Sequence, residues 1–107
     1  MSELTDTQGT WKQAALLSQL QDGMQCIQIN RLKIVIAKVG KEIFAYANLC
    51  PHSGGPMNRG ELNGVVVTCP LHGWRFDLKK EGAETHGYRP LKMYPIREEG
   101  NNLLIKI

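Results

Sequence analysis

The sequence predicts an all-β fold of short antiparallel strands, and three observations carry that expectation. Short apolar runs rich in β-branched residues recur along the chain. Pairs of turn-forming residues separate several of them, as in β-hairpins. Only residues 11–20 have apolar positions at near-helical spacing. The 107 residues are room for one domain, and 42% hydrophobic with 21% charged residues describe an ordinary globular chain.

Residues 1–10 are polar and expected to fray, which leaves a single domain over 11–107. Residues 11–20 could form a strand or one short helix. Strands are then expected at 24–29, 32–39 and 42–48, with Asn30-Arg31 and Gly40-Lys41 as the turns of a meander. Residues 49–58 lack periodicity and hold Gly54-Gly55 and two prolines. Asn63-Gly64 is a hairpin turn feeding a strand at 65–69, and residues 70–73 lead into a short alternating run at 74–77. The Gly-, Lys- and Glu-rich stretch 78–90 is expected to be a surface loop. Residues 93–97 and 103–107 close the chain as two strands.

Composition excludes several functions. Thirteen Lys and Arg are interleaved with ten Asp and Glu, and Lys79-Lys80 is the only adjacent basic pair. A net charge of +3 so dispersed is not the footprint of a nucleic-acid binder. The longest apolar run, residues 43–47, is far short of the ~20 residues a membrane helix needs. Residues 1–6 have neither the basic start nor the apolar stretch of a secretory signal, so a cytoplasmic location is expected. Three cysteines without an export signal argue for thiols or metal ligands over a disulfide framework.

Two loops stand out chemically. One carries Cys50-Pro51-His52 and the other Cys69-Pro70-Leu71-His72, with sixteen residues between His52 and Cys69. Cysteine and histidine are the side chains by which proteins hold zinc and iron. Each pair lies on a Pro- and Gly-rich loop at a strand end, where a rigid scaffold can present it. A mononuclear zinc module usually takes its cysteines from one element and its histidines from another. Here each loop supplies one of each, which suits a two-iron centre, although ligand count leaves zinc open.

The pattern Cys50-x-His52 and Cys69-x-x-His72 resembles the signature of Rieske proteins, which bind a 2Fe–2S cluster. The likeness extends through Leu49-Cys-Pro-His-Ser-Gly-Gly-Pro-Met-Asn-Arg-Gly60, through Cys69-Pro-Leu-His-Gly-Trp-Arg-Phe-Asp77, and upstream to Phe44-Ala-Tyr-Ala-Asn-Leu49. It covers roughly residues 11–107. It implies the Rieske iron–sulfur fold, antiparallel sheets with a cluster-binding subdomain at approximately 46–77. It also implies a first strand at 11–16 with a helical turn near 18–22. By the same resemblance Cys50 and Cys69 hold one iron, and His52 and His72 the other. Two ferric ions and two sulfides carry two positive charges; two thiolates neutralise them, whereas four over-neutralise them and make reduction harder. Rieske centres accordingly span about −150 to +300 mV, against about −400 mV for plant-type clusters.

Departures within the loops point to the ferredoxin type. The cytochrome bc-type members carry an extra cysteine in each loop, joined as a disulfide; Gly55 and Leu71 stand there in this chain. A serine that donates to a bridging sulfide in those members is replaced by Trp74. Fewer hydrogen bonds to cluster sulfur imply a potential near the low end of the range. Gly54, Gly55, Gly60 and Gly73 are expected to allow tight turns and close backbone approach to sulfur. Pro90 is matched to a third loop that shields the cluster. Trp74 and Phe76 read as packing, Cys26 as an inert small hydrophobe, and His86 as a solvated surface residue.

The resemblance implies a one-electron carrier that passes electrons from a flavin-dependent reductase to a terminal oxygenase. The small Rieske-like subunit of an assimilatory nitrite reductase, docked to its large subunit, and a zinc-binding interaction module are the alternatives. A complete oxygenase is excluded: it needs a 2-His-1-carboxylate iron site, and only His86 remains once the ligands are assigned. No catalytic residues are expected. Partners are expected to dock on the loop tip over His52 and His72, with Arg59 and Arg89 at the rim.

Overall fold

The computed structural model describes residues 10–107, so the expectation for residues 1–9 lies outside the described residues. Among the described residues, ten strands form three antiparallel sheets. The first sheet joins the two ends of the chain: β1 (Trp11–Leu16) and β9 (Ile96–Glu99) flank β10 (Asn102–Lys106). The second is the expected meander of β2 (Gly23–Ile29), β3 (Leu32–Val39) and β4 (Glu42–Ala47). The third, of short strands, runs β5 (Glu61–Asn63), β6 (Val66–Thr68), β7 (Arg75–Asp77) and β8 (Ala83–Glu84). The all-β expectation is borne out.

Local chemistry sets the turns. Asn30-Arg31 closes β2–β3 with Ile29 opposite Leu32, and Asn30 takes a φ of 58°, which its short polar side chain tolerates. Gly40-Lys41, Gly64-Val65 and Gly100-Asn101 close three more two-residue hairpins, each with a left-handed glycine. Residues 11–16 are a strand, followed by a 3-10 turn at Leu17–Gln19. That turn starts slightly earlier than the resemblance implied, because Asn101 satisfies the Leu17 and Ser18 N–H groups.

Strand β3 is the partition of the molecule. Ile34, Val35, Ile36 and Ala37 are all fully buried, and alternate residues point to opposite faces. Ile34 and Ile36 pack with Ala45, Leu103 and Ile105. Val35 and Ala37 pack with Tyr46, Cys50, Met57, Val67, Cys69 and Phe76. One strand thereby lines two cores, and both loop cysteines belong to the second.

Three sequence expectations need correction. Residues 78–90 are not simply surface loop: they hold a 3-10 turn at Leu78–Lys80, strand β8, and the buried Leu78 and Glu84. The strand expected at 93–97 starts later, at Ile96, because Pro95 has no N–H for the ladder; Met93 makes only an isolated bridge to Tyr46. Cys26 is exposed on the edge strand β2, where its sulfur accepts a 3.6 Å hydrogen bond from the Asn48 amide.

Candidate metal centre

The first loop leaves β4 and folds back on itself. The Cys50 N–H donates to the Gly55 carbonyl and the Gly54 N–H to the Cys50 carbonyl, both at 2.9 Å. Asn48 fastens its far side by accepting from the Asn58 N–H at 2.7 Å. The second loop bridges β6 and β7, closed by the Cys69 N–H donating to the Trp74 carbonyl at 2.7 Å. Within it His72, with φ of 67°, and Gly73, with φ of 70°, are successive left-handed residues. For a histidine that conformation costs roughly 1–3 kcal/mol and marks a position held by its surroundings.

The loops meet at the cysteines. Both are buried in the same core cluster, and neither is in a disulfide. The Ser53 hydroxyl lies 3.3 Å from Cys69 Sγ, and the Leu71 N–H donates to the same sulfur at 3.4 Å. Burial pushes the Cys50 thiol up. Hydrogen bonds from the Ser53 hydroxyl, the His52 and Ser53 N–H groups and Cys69 outweigh it, and hold the thiol below its ordinary value. Gly55 and Leu71 face each other: a Cβ on residue 55 would lie 3.1 Å from Leu71 Cγ and 3.0 Å from Cys69 Sγ. No disulfide can join these two side chains, and a larger residue at 55 would require Leu71 or Cys69 to shift by a few tenths of an ångström.

The histidines stand outside the cysteine pair. His52 is half-buried, stacked on Trp74 with ring centroids 3.9 Å apart and planes 9° from parallel. Tyr88 closes edge-on against both rings. His52 Nε2 lies 2.9 Å from the Arg89 carbonyl oxygen. A carbonyl only accepts, so Nε2 carries the proton, and the neutral ring offers its lone pair at Nδ1. His72 is exposed. Among the described residues no three His, Cys, Asp or Glu side chains converge on a point for one metal ion. The structure brings the two cysteines together; two thiols and two imidazoles are, by their chemistry alone, a donor set suited to two metals with two ligands each.

Sequence reasoning passed over Glu84. Its carboxylate, buried on β8, accepts from the His86 N–H at 2.8 Å and the Tyr88 N–H at 3.1 Å, and pairs with His86 Nδ1 at 3.2 Å. His86 is therefore exposed yet tethered, and the turn 84–88 is fixed just before Tyr88 and Arg89 meet His52. The cue was an acid two and four residues ahead of amides in a glycine-containing turn. Burial raises the Glu84 carboxyl, but those N–H groups and the His86 charge outweigh it and hold it below the ordinary value. A carboxylate depressed in the folded state stabilises above its unfolded pKa of about 4.3, and that contribution is lost as pH falls through the folded value. Hydrogen exchange at the Tyr88 amide, corrected for intrinsic pH dependence, is expected to quicken as pH falls through the lowered folded value of the Glu84 carboxyl. Glu84→Ala should quicken it already at neutral pH. Unchanged protection in both experiments would contradict this role.

The Rieske [2Fe-2S] domain family matches residues 10–95, and the chain belongs to that family. The ferredoxin component of the naphthalene 1,2-dioxygenase/salicylate 5-hydroxylase systems of a Ralstonia species is 33% identical over 99 residues, covering 91% of this chain and 95% of that one. The ferredoxin component of the naphthalene 1,2-dioxygenase system of Pseudomonas aeruginosa is 30% identical over the same shares. Among solved structures, the ferredoxin of carbazole 1,9a-dioxygenase from Nocardioides aromaticivorans IC177 superposes with a TM-score of 0.80 at 26% identity, covering 91% of this chain and 97% of that one. The cofactor is one Rieske-type 2Fe–2S cluster, and the chain is an electron-transfer component rather than a catalytic one. No helix among the described residues is long and apolar enough to cross a membrane.

Proposed function

We propose that Cys50 and Cys69 hold one iron of the cluster and His52 and His72 the other, within a cluster-binding region at approximately 46–77. The protein then carries single electrons from a flavin-dependent reductase to a terminal oxygenase in the cytoplasm. The observation that carries this reading is the meeting of the Cys-x-His and Cys-x-x-His loops in one buried core, with the Ser53 hydroxyl and the Leu71 N–H at Cys69 Sγ. The relatives named as dioxygenase ferredoxin components favour an oxygenase system over a nitrite reductase.

The cluster, when bound, supplies a reversible one-electron couple. The chain's residues set its surroundings. Ser53 and the Leu71 N–H stabilise charge on Cys69, and the His52 and Ser53 N–H groups stabilise charge on Cys50. The Arg89 carbonyl keeps the proton on His52 Nε2, and Trp74 holds the ring by stacking. Purified protein reduced with dithionite is expected to hold two irons per chain. Its rhombic EPR signal should have an average g below that of all-cysteine 2Fe–2S proteins. An EPR-silent protein with one zinc would overturn the assignment.

A further inference from the structure

A groove of about 550 Å³ lies between the β2–β3 turn, the end of β4 with the start of the first cluster loop, and the segment after Tyr88. Leu32, Leu49, Pro51 and Pro90 give it an apolar floor, and Leu49, at 58% exposure, is strongly solvated. Arg31, Lys33, Arg89 and Lys92 line it, and none of the described residues lining it is acidic. None of the four belongs to an ion pair among the described residues. A second depression shares Lys33 and Asn48 with the groove and adds Arg59, again without an acid. Cations dispersed in sequence thus converge on one flank of the domain.

That flank is bonded to the metal centre. The carbonyl that accepts from His52 Nε2 belongs to Arg89, and the Arg89 guanidinium donates to the Pro51 carbonyl at 3.4 Å. Both residues line the groove. A hydrogen bond therefore runs from a proposed iron ligand into the groove wall. We infer that a redox partner docks an acid-rimmed, apolar-centred protein surface in this groove, and that the electron passes through His52 and the Arg89 carbonyl. This deepens the proposed carrier function and rests on it. In the step the reduced cluster loses one electron and the partner's acceptor gains one. The proton on Nε2 stays in its hydrogen bond. Four cations around an apolar floor complement carboxylates around an apolar patch, and long-range attraction of that kind mainly raises the association rate.

The test follows oxidation of dithionite-reduced holoprotein by stopped flow, using anionic hexacyanoferrate(III) and cationic tris(phenanthroline)cobalt(III). Arg31→Glu/Lys33→Glu reverses two groove charges; Lys41→Glu/Lys80→Glu makes the same change in net charge at exposed positions outside the groove. The groove variant is expected to slow the anion at least tenfold and speed the cation, with the distal variant shifting each less than twofold. Poly-L-glutamate should protect the wild type and the distal variant from the anion, but not the groove variant. Equal shifts in the two variants would overturn the assignment. Better protection by a DNA duplex at equal charge would overturn the acidic protein as occupant. Iron content and the EPR signal, taken on the same samples, separate these failures from failure of the carrier reading, in which no cluster would be present to oxidise.

Discussion

Gly60→Ala is expected to lower the melting temperature of the loaded protein by on the order of 10–20 °C and to reduce the iron it retains. Gly60 has extended backbone, so conformational strain is not the cause. A Cβ there would collide with the Thr68 carbonyl oxygen. That carbonyl belongs to β6, which pairs with β5 immediately after Gly60 and leads directly into Cys69. The methyl group can be housed only by pushing β6 away, which displaces the cysteine. Overpacking of this kind costs about 3 kcal/mol, and each kcal/mol shifts the melting point of a domain this size by about 4–8 °C. Gly54→Ala is the comparison. Its Cβ meets nothing within 4 Å, so the cost is about 1–2 kcal/mol for its left-handed φ of 75°. Thermal melts with iron determination on both variants decide the matter. A Gly60→Ala protein melting within a few degrees of wild type with full iron would contradict the steric account.

His72→Cys is expected to assemble a cluster in part of the chains and to lower its midpoint potential by about 100 mV or more, part of the way toward plant-type clusters. The cause is charge: a neutral imidazole gives way to a thiolate, and the added electron meets one more negative charge. His72 suits the experiment because it is exposed and shares none of the bonds that hold His52. The same exchange at His52 would also remove the Trp74 stack and the Arg89 bond, confounding charge with disorder. Redox titration followed by EPR gives the potential directly. A raised or unchanged value would refute the charge argument.

The meander and the two Cys-x-His loops were legible because each has a local signature. Asn30-Arg31 and Gly40-Lys41 separate β-branched runs, and metal-binding residues at fixed spacing stand out against any background. Strands β5 and β8 were not legible. With three and two residues they are too short to show alternation, and they exist because β6 and β7 offer them partners. The role of Glu84 was hidden because its donors are backbone amides, which have no letter in a sequence. Arg59 and Arg89 were legible as rim residues, but the rest of the cationic flank was hidden: Arg31, Lys33 and Lys92 are scattered along the chain, and only the return of the segment after Tyr88 beside β4 gathers the five. Pro95 was visible in the sequence, and its missing N–H is what delays β9.

Strand β3 bears on how the protein responds to loss of iron. The core behind it, formed by Ile34, Ile36, Ala45, Leu103 and Ile105, contains neither cysteine nor histidine. Its apolar contacts are complete without iron, and burial there stabilises by about 1.5–3 kcal/mol for each large aliphatic side chain. Loss of iron is therefore expected to loosen the loops while this core, and β3 with it, keeps its packing.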